Sequence, residues 1–119
     1  MKWLIKALLG ACVVAVSACG EACDLVQKPG IALTIVDAVT GNLVEGEVTV
    51  IVTDGSYTET VSRQGGIVGV AYERPGTYRI EVQGPGYIPW VATNITVTEG
   101  DCHVEPVELT AELEKAEEG

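Results

Sequence analysis

The stretch EVTVIVTDGSYTETVSR, residues 47–63, contains two strand patterns separated by a turn signal. In its first half Val48, Val50 and Val52 alternate with other residues, which places the three valines on one face of a strand. Asp54-Gly55 is a two-residue hairpin signal, because both residue types tolerate the backbone of a type I′ turn. Alternation resumes after it in SYTETVSR. The stretch therefore predicts an antiparallel hairpin with one buried face.

The same pattern continues on both sides of this hairpin. Residues 31–37 (IALTIVD) alternate in hydropathy, and the later apolar runs are separated by Gly65-Gly66, Pro75-Gly76 and the GPG at residues 84–86. Short strands at such regular spacing are typical of a β-sandwich or barrel. Pro106 cannot donate a ladder hydrogen bond, so the last strand is expected to lie at an edge or to be bulged there.

The first eighteen residues have the pattern of a secretory signal. MKWLIK carries two lysines, and the twelve charge-free residues ALLGACVVAVSA follow it, too few to span a bilayer as a helix. Val16-Ser17-Ala18-Cys19 resembles the lipobox of bacterial lipoproteins, which implies diacylglyceryl (palmitate-bearing) modification of Cys19. Ordinary signal-peptidase cleavage after Ala18, with Cys19 free or disulfide-bonded, is the alternative. LGAC at residues 9–12 leaves too short an apolar run.

Cysteine parity favours the lipid. Removal of residues 1–18 leaves Cys19, Cys23 and Cys102, an odd number for an exported protein. If Cys19 is acylated, Cys23 and Cys102 remain as a pair that would join the start of the first strand to the start of the last one. A Cys19–Cys23 redox pair is disfavoured, because its spacing is Cys-x3-Cys.

The mature chain would be strongly acidic. Without residues 1–18 it holds five Lys or Arg residues and seventeen Asp or Glu residues, a net charge of −12. Such a surface repels nucleic acid, so no nucleic-acid partner is expected. Solubility is the simplest role of this charge, and cationic partners are the alternative.

Two segments resemble the carboxypeptidase regulatory-like domains of the transthyretin-like group. They are IVDAVTGNLVEGEVTVIV, with its Asp-x3-Gly between strands, and RPGTYRIEVQGPGYIPWVATNITV. The resemblance implies an all-β, seven- or eight-stranded Greek-key β-sandwich that serves as an accessory, binding or spacer module. The expected organisation is a lipoprotein signal peptide over residues 1–18, a lipidated terminus and tether over 19–29, the sandwich over 30–110 and an acidic tail over 111–119.

The inventory of reactive residues predicts no catalytic site, no metal site and no cofactor. His103 is the only histidine and would lie exposed on a strand, on the face opposite to Cys102. A zinc site or a hydrolase triad needs more partners, and no Gly-x-Ser-x-Gly motif is present. A hydrolase is therefore the least favoured function, and the chain is expected not to be an enzyme.

The turn GYIPW is the sharpest candidate for a binding site. Tyr87 and Trp90 are close in sequence, and exposed aromatic rings can stack on sugars, although a single Trp is more often part of a core. We expect a lipid-anchored binding or spacer module of the bacterial cell envelope, with an envelope protein or glycan as partner. A carbohydrate- or peptide-binding surface receptor is the alternative. The resemblance to bacterial lipoproteins also implies a location, since under their sorting rule Gly20 after Cys19 corresponds to the outer membrane, facing the periplasm or the cell surface.

Overall fold

The computed structural model describes residues 23–117, and Cys19 with the predicted signal peptide lies outside this part of the chain. The described residues form eight β-strands and no helix. The strands are β1 (Ile31–Asp37), β2 (Glu47–Asp54), β3 (Tyr57–Gln64), β4 (Ile67–Val70), β5 (Gly76–Gln83), β6 (Trp90–Glu99), β7 (Val104–Glu105) and β8 (Val107–Leu113).

The strands form two sheets, as in a β-sandwich, which confirms the predicted all-β class and strand number. A five-stranded antiparallel sheet has the order β3-β2-β5-β6-β7. A three-stranded sheet has the order β4-β1-β8, in which β1 pairs antiparallel with β4 and parallel with β8. The Greek-key and transthyretin-like assignments stay predictions.

One hydrophobic core lies between the two sheets. In the large sheet, every second residue of β2 points inward, starting at Val48. These residues are Val48, Val50 and Val52, and all three are fully buried. From the small sheet, Ile31 and Leu33 face them. Aliphatic β-branched residues dominate this core, because pleated strands place such side chains in close cross-strand contact. Tyr78 is the largest fully buried side chain.

The β2–β3 hairpin forms as predicted, but its loop is one residue later than expected. Asp54 pairs with Tyr57, so Gly55 and Ser56 are the loop residues. Gly55 has φ +62° and Ser56 is not in the left-handed region, which is the pattern of a type II′ turn with glycine at its first central position. The Asp-Gly signal was therefore placed wrongly, because Asp54 belongs to the ladder.

The connection at Pro75-Gly76 separates two strands without a left-handed glycine. Gly76 opens β5 without a positive φ, and a Cβ there would overlap the Asp54 carboxylate. The left-handed residues near this connection are Ala71 (φ 56°) and Glu73 (φ 53°). Glycine is thus used here for close approach and not for backbone freedom.

The end of the sandwich domain lies beyond the predicted residue 110. Strand β8 continues to Leu113, and Ala111 and Leu113 are fully buried. The prediction of an acidic tail from residue 111 was wrong for this part, because glutamates at alternate positions face outward while the apolar residues between them fill the core. Pro106 interrupts the chain between β7 and β8, as expected of a residue that cannot donate to a ladder.

Cys23 and Cys102 form a disulfide with a Cα–Cα distance of 5.2 Å. Cys102 lies in the connection between β6 and β7 and not at the start of the last strand, which corrects its predicted position. The bond fastens the chain to the domain at residue 23, so the predicted tether over 19–29 is bonded to the domain from Cys23 onward. No helix among the residues described could cross a membrane.

Candidate functional site

The predicted Tyr87–Trp90 turn lies where the chain from β5 meets the end of β8. The amide of Ile88 donates to the carbonyl of Glu114 at 2.8 Å, and the amide of Ala116 donates to the carbonyl of Gly86 at 2.9 Å. These two bonds form an isolated antiparallel bridge between Tyr87 and Lys115. The turn is therefore held by the backbone beyond β8, in a segment that was expected to be an unstructured tail.

Tyr87 is fixed by a buried carboxylate. Its hydroxyl donates to Asp37 Oδ2 at 2.8 Å, while the amides of Val39 and Thr40 donate to Asp37 Oδ1 at 2.8 and 3.0 Å. Lys115 Nζ lies 3.7 Å from Asp37 Oδ2. The amide of Thr40, the Tyr87 hydroxyl and the amide of Val39 lower the pKa of Asp37 to about 2. The same hydrogen bond raises the pKa of Tyr87.

Asp37 is a site residue that the sequence analysis did not single out. Asp37 is the last residue of β1 and is 7% exposed. The loop after it is closed by a hydrogen bond from the amide of Gly41 to the Asp37 carbonyl. The Asp-x3-Gly pattern at residues 37–41 was the signal that could have identified Asp37. The sequence analysis used this pattern only as a feature of the family resemblance. The hydroxyl of Tyr87, which the sequence analysis considered for ligand binding, bonds this side chain.

Trp90 is the first residue of β6 and pairs with Val82 of β5. Because directly paired residues share a sheet face, its indole lies on the side of the core, and it packs against the core as a half-buried residue. Trp90 is thus neither a fully exposed platform nor a fully buried core residue.

A surface groove of about 250 Å³ runs beside the exposed part of this tryptophan. Its lining residues are Ile88, Pro89, Trp90, Val91, Glu112 and Glu114. Ile88 and Val91 are 48% and 45% exposed, so the groove combines an apolar surface with two carboxylates. Tyr87 is not among the lining residues, and its role is to position the turn. A ligand with an apolar face and hydroxyl or cationic donors is the chemical complement of this surface.

A second polar cluster lies at the other end of the strands and contains His103. Its Nδ1 is 2.5 Å from Glu73 Oε2, and its Nε2 is 2.7 Å from Asp24 Oδ1. A ring that bonds a carboxylate at each nitrogen is the protonated imidazolium, since only that form donates from both. Glu73 and then Asp24 raise the pKa of His103. His103 is 19% exposed and lies outside the strands, so its prediction as an exposed strand residue was wrong.

Glu73 ties together three parts of the chain at this cluster. Besides His103, its carboxylate accepts the amides of Lys28 at 2.8 Å and Val104 at 3.2 Å. The Lys28 amide, as the largest cause, and His103 lower the pKa of Glu73. The hydrogen bond from His103 also lowers the pKa of Asp24. The residues that follow the disulfide-bonded Cys23 are therefore fixed against the domain.

The groove and the His103 cluster lie at opposite ends of the sandwich. Strand β6 begins at Trp90 beside the groove and ends at Glu99, four residues before His103. Ten residues with about 3.3 Å of rise each place these ends about 30 Å apart. Within residues 23–117, no group of three or more His, Cys, Asp or Glu residues could hold a metal ion.

In comparisons with known proteins, no protein-family model matches this chain. None of the curated proteins matches it either.

Proposed function

We propose that this protein is a non-catalytic, lipid-anchored module of the bacterial cell envelope that binds a partner through the groove at Trp90. The observation that supports binding is the half-exposed indole in a groove with two exposed aliphatic side chains and two carboxylates. A transthyretin-like sandwich used as an accessory domain would have the same arrangement, namely a small stable fold with one anchored end and one binding end.

The proposed anchor is a lipid on Cys19, in an outer-membrane lipoprotein facing the periplasm or the cell surface. Cys19 is four residues before Cys23, which is already bonded to the domain. Four extended residues span at most about 14 Å. The groove lies at the far end of the strands from Cys23, so anchoring at Cys19 leaves it accessible.

Palmitate incorporation tests the anchor. Cells that express the full chain should incorporate labelled palmitate into it, and Cys19→Ser should abolish the label. An inhibitor of the lipoprotein signal peptidase should leave the precursor uncut. Cys12→Ser is the matched control, because it replaces the other cysteine of the leader region and should leave the label unchanged. Normal processing of Cys19→Ser would contradict lipidation.

Capture from envelope extracts tests the groove. Trp90→Ala should weaken capture of the partner while thermal unfolding stays cooperative. Trp90→Phe should keep the fold and part of the binding, because it retains an aromatic face. Tyr72→Ala is a control, since Tyr72 is a half-exposed aromatic residue that does not line this groove. Equal capture by wild type and Trp90→Ala would contradict the proposed site.

A carbohydrate-binding role is the second candidate, and the lining of the groove is the feature that favours it. Pyranose faces stack on indole rings, and carboxylates such as Glu112 and Glu114 accept hydrogen bonds from sugar hydroxyls. Binding of envelope glycans that is lost in Trp90→Ala would support this role over a peptide partner. A hydrolase is disfavoured, because His103 is bonded to a carboxylate at each ring nitrogen and so has no free nitrogen to act as a base. Hydrolysis that His103→Ala abolishes would overturn the non-enzyme proposal.

A further inference from the structure

The outer strand β3 of the large sheet is a long free edge whose protection is limited to two inward-facing charges of opposite sign, Glu59 and Arg63. Among the strand edges of the part that the structure describes, β7 has two residues and β4 has four. Strand β8 follows Pro106 and carries glutamates on its outward face. Strand β3 has eight residues with regular pairing to β2, and it contains no proline, lysine or bulge. Natural proteins usually block such an edge with one of these features.

The hairpin register shows which backbone groups of β3 lack partners. In a two-residue turn the amide of Tyr57 faces Asp54, so odd-numbered residues bond β2. The amide of Gly65 follows the same rule, since it donates to the carbonyl of Gly46 at 3.0 Å. The amides and carbonyls of Thr58, Thr60 and Ser62 therefore point away from the sheet. Their exposed side chains are short and uncharged.

The sequence of this edge is complementary to itself. Residues 58–64 read TETVSRQ, with Val61 at the centre, Thr60 and Ser62 on either side, and then Glu59 and Arg63. An antiparallel copy with its two-fold axis at Val61 would place Thr60 opposite Ser62 and Glu59 opposite Arg63. We propose that β3 pairs in this register with β3 of a second copy of this chain, which joins the two large sheets into one of ten strands.

Charge is the reason to favour a second copy over an unrelated peptide. The chain is strongly acidic, yet β3 contains one acid and one base and is neutral. Arg63 is exposed and has no ion pair or hydrogen bond within residues 23–117. Glu59 accepts bonds from the Ala71 amide and the Tyr57 hydroxyl through Oε1, so its other oxygen is open to a cation. The two-fold axis would form two Glu59–Arg63 pairs at once.

The contact is small, so the dimer is a reversible one. Seven paired residues make an edge about 24 Å long, and a single strand edge of this length buries less surface than the roughly 1,200 Å² of a stable interface. The antiparallel arrangement also places the two Cys23 ends at opposite ends of the paired strands. Two copies in one membrane would therefore pair with their strands parallel to its surface. The proposal depends on neither the Trp90 groove nor the lipid at Cys19.

Sedimentation of the full chain in mild detergent over about 10 µM to about 1 mM measures the association. Arg63→Glu places like charges opposite each other twice, so it should raise the dissociation constant at least about tenfold. Arg79→Glu is the control, because it makes the same charge change on the central strand β5 and should change the constant by less than about twofold. A monomer throughout, or equal effects of the two variants, would overturn the proposal.

Cross-linking tests the register independently of affinity. Val61→Cys should give a disulfide-linked dimer on mild oxidation. The two copies of residue 61 would form a non-hydrogen-bonded antiparallel pair, in which the Cα atoms lie about 4.5 Å apart. Thr58→Cys should not, because the two copies of residue 58 would be about 20 Å apart in this register. Peptide mapping separates the new link from the native Cys23–Cys102 bond. Cross-linking at residue 58, or none at residue 61, would refute the register.

Discussion

Removal of the Cys23–Cys102 disulfide should cost a large share of the stability of this small domain. The bond closes a loop with a sequence separation of 79 residues. The chain-entropy relation gives about 4.5 kcal/mol at 25 °C for a loop of this length. A domain of this size has a total stability of roughly 5–15 kcal/mol. We therefore expect the Cys23→Ser/Cys102→Ser variant to be less stable than wild type by up to about 4.5 kcal/mol at 25 °C.

The native geometry should survive this substitution. The prediction therefore tests how much the disulfide restricts the conformational freedom of the unfolded chain. The same two chain segments remain joined by His103 to Asp24 and by Glu73 to the amide of Lys28. The loss should therefore arise from greater freedom of the unfolded chain. Urea unfolding followed by circular dichroism measures it, and wild type in reductant is the control that should match the variant. A loss below about 1 kcal/mol would refute the loop-closure reasoning.

Further predictions concern single residues. His103 has a raised pKa in the fold, so its contribution to stability is complete below about pH 6.5 and is lost as pH rises through the folded pKa; His103→Gln should flatten this fall in urea midpoints above about pH 6.5. Asp37 has a folded pKa of about 2, so its contribution is present above the ordinary aspartate pKa of 3.8 and is lost as pH falls through the folded pKa; Asp37→Asn should remove this part of the acid unfolding curve. Tyr87→Phe should lower the melting temperature and reduce the same acid dependence, since the hydroxyl donates to that carboxylate. Gly66→Ala should cost about 1–3 kcal/mol because its Cβ meets a backbone carbonyl of β1, whereas Gly76→Ala should cost less because its Cβ meets a movable carboxylate; equal melting temperatures for these two variants would contradict the distinction.

Period-two alternation was sufficient to predict the strands of this protein. Every second residue of β1 and β2 is buried, as the pattern at Ile31 and Val48 indicated. The disulfide was predicted from the number of cysteines and not from alternation. Assigning a lipid to Cys19 left Cys23 and Cys102 as the one possible pair. The alternation was overlooked at the C-terminus. There the density of glutamates suggested a tail, although Leu109, Ala111 and Leu113 alternate with polar residues along β8.

The polar clusters could not be predicted in the same way, because they depend on contacts between distant residues. Tyr87 and Asp37 are 50 positions apart, and His103 and Asp24 are 79 positions apart. Nothing in the local sequence of His103 indicates that two carboxylates will meet it. Glu73 reaches it from a left-handed backbone position that glycine or asparagine would ordinarily occupy. Such a conformation is determined by the surrounding structure and not by local preference.

The bonds that fix the N-terminal segment and the exposed apolar groove lie at opposite ends of this domain, which limits how it could act at a membrane. The covalent bond and the His103 cluster are concentrated where the chain enters, and the groove with Ile88 and Val91 lies about 30 Å away along β6. Under the proposed anchor, only residues 20–22 lie between the lipid-bearing residue and the disulfide. A spacer of so few residues cannot extend the domain far from the bilayer, since its reach is at most about 14 Å. For a single anchored copy whose strands stand upright, the length of the folded strands therefore sets the distance at which the groove meets a partner. Lengthening the link between Cys19 and Cys23 should extend that distance without altering the groove.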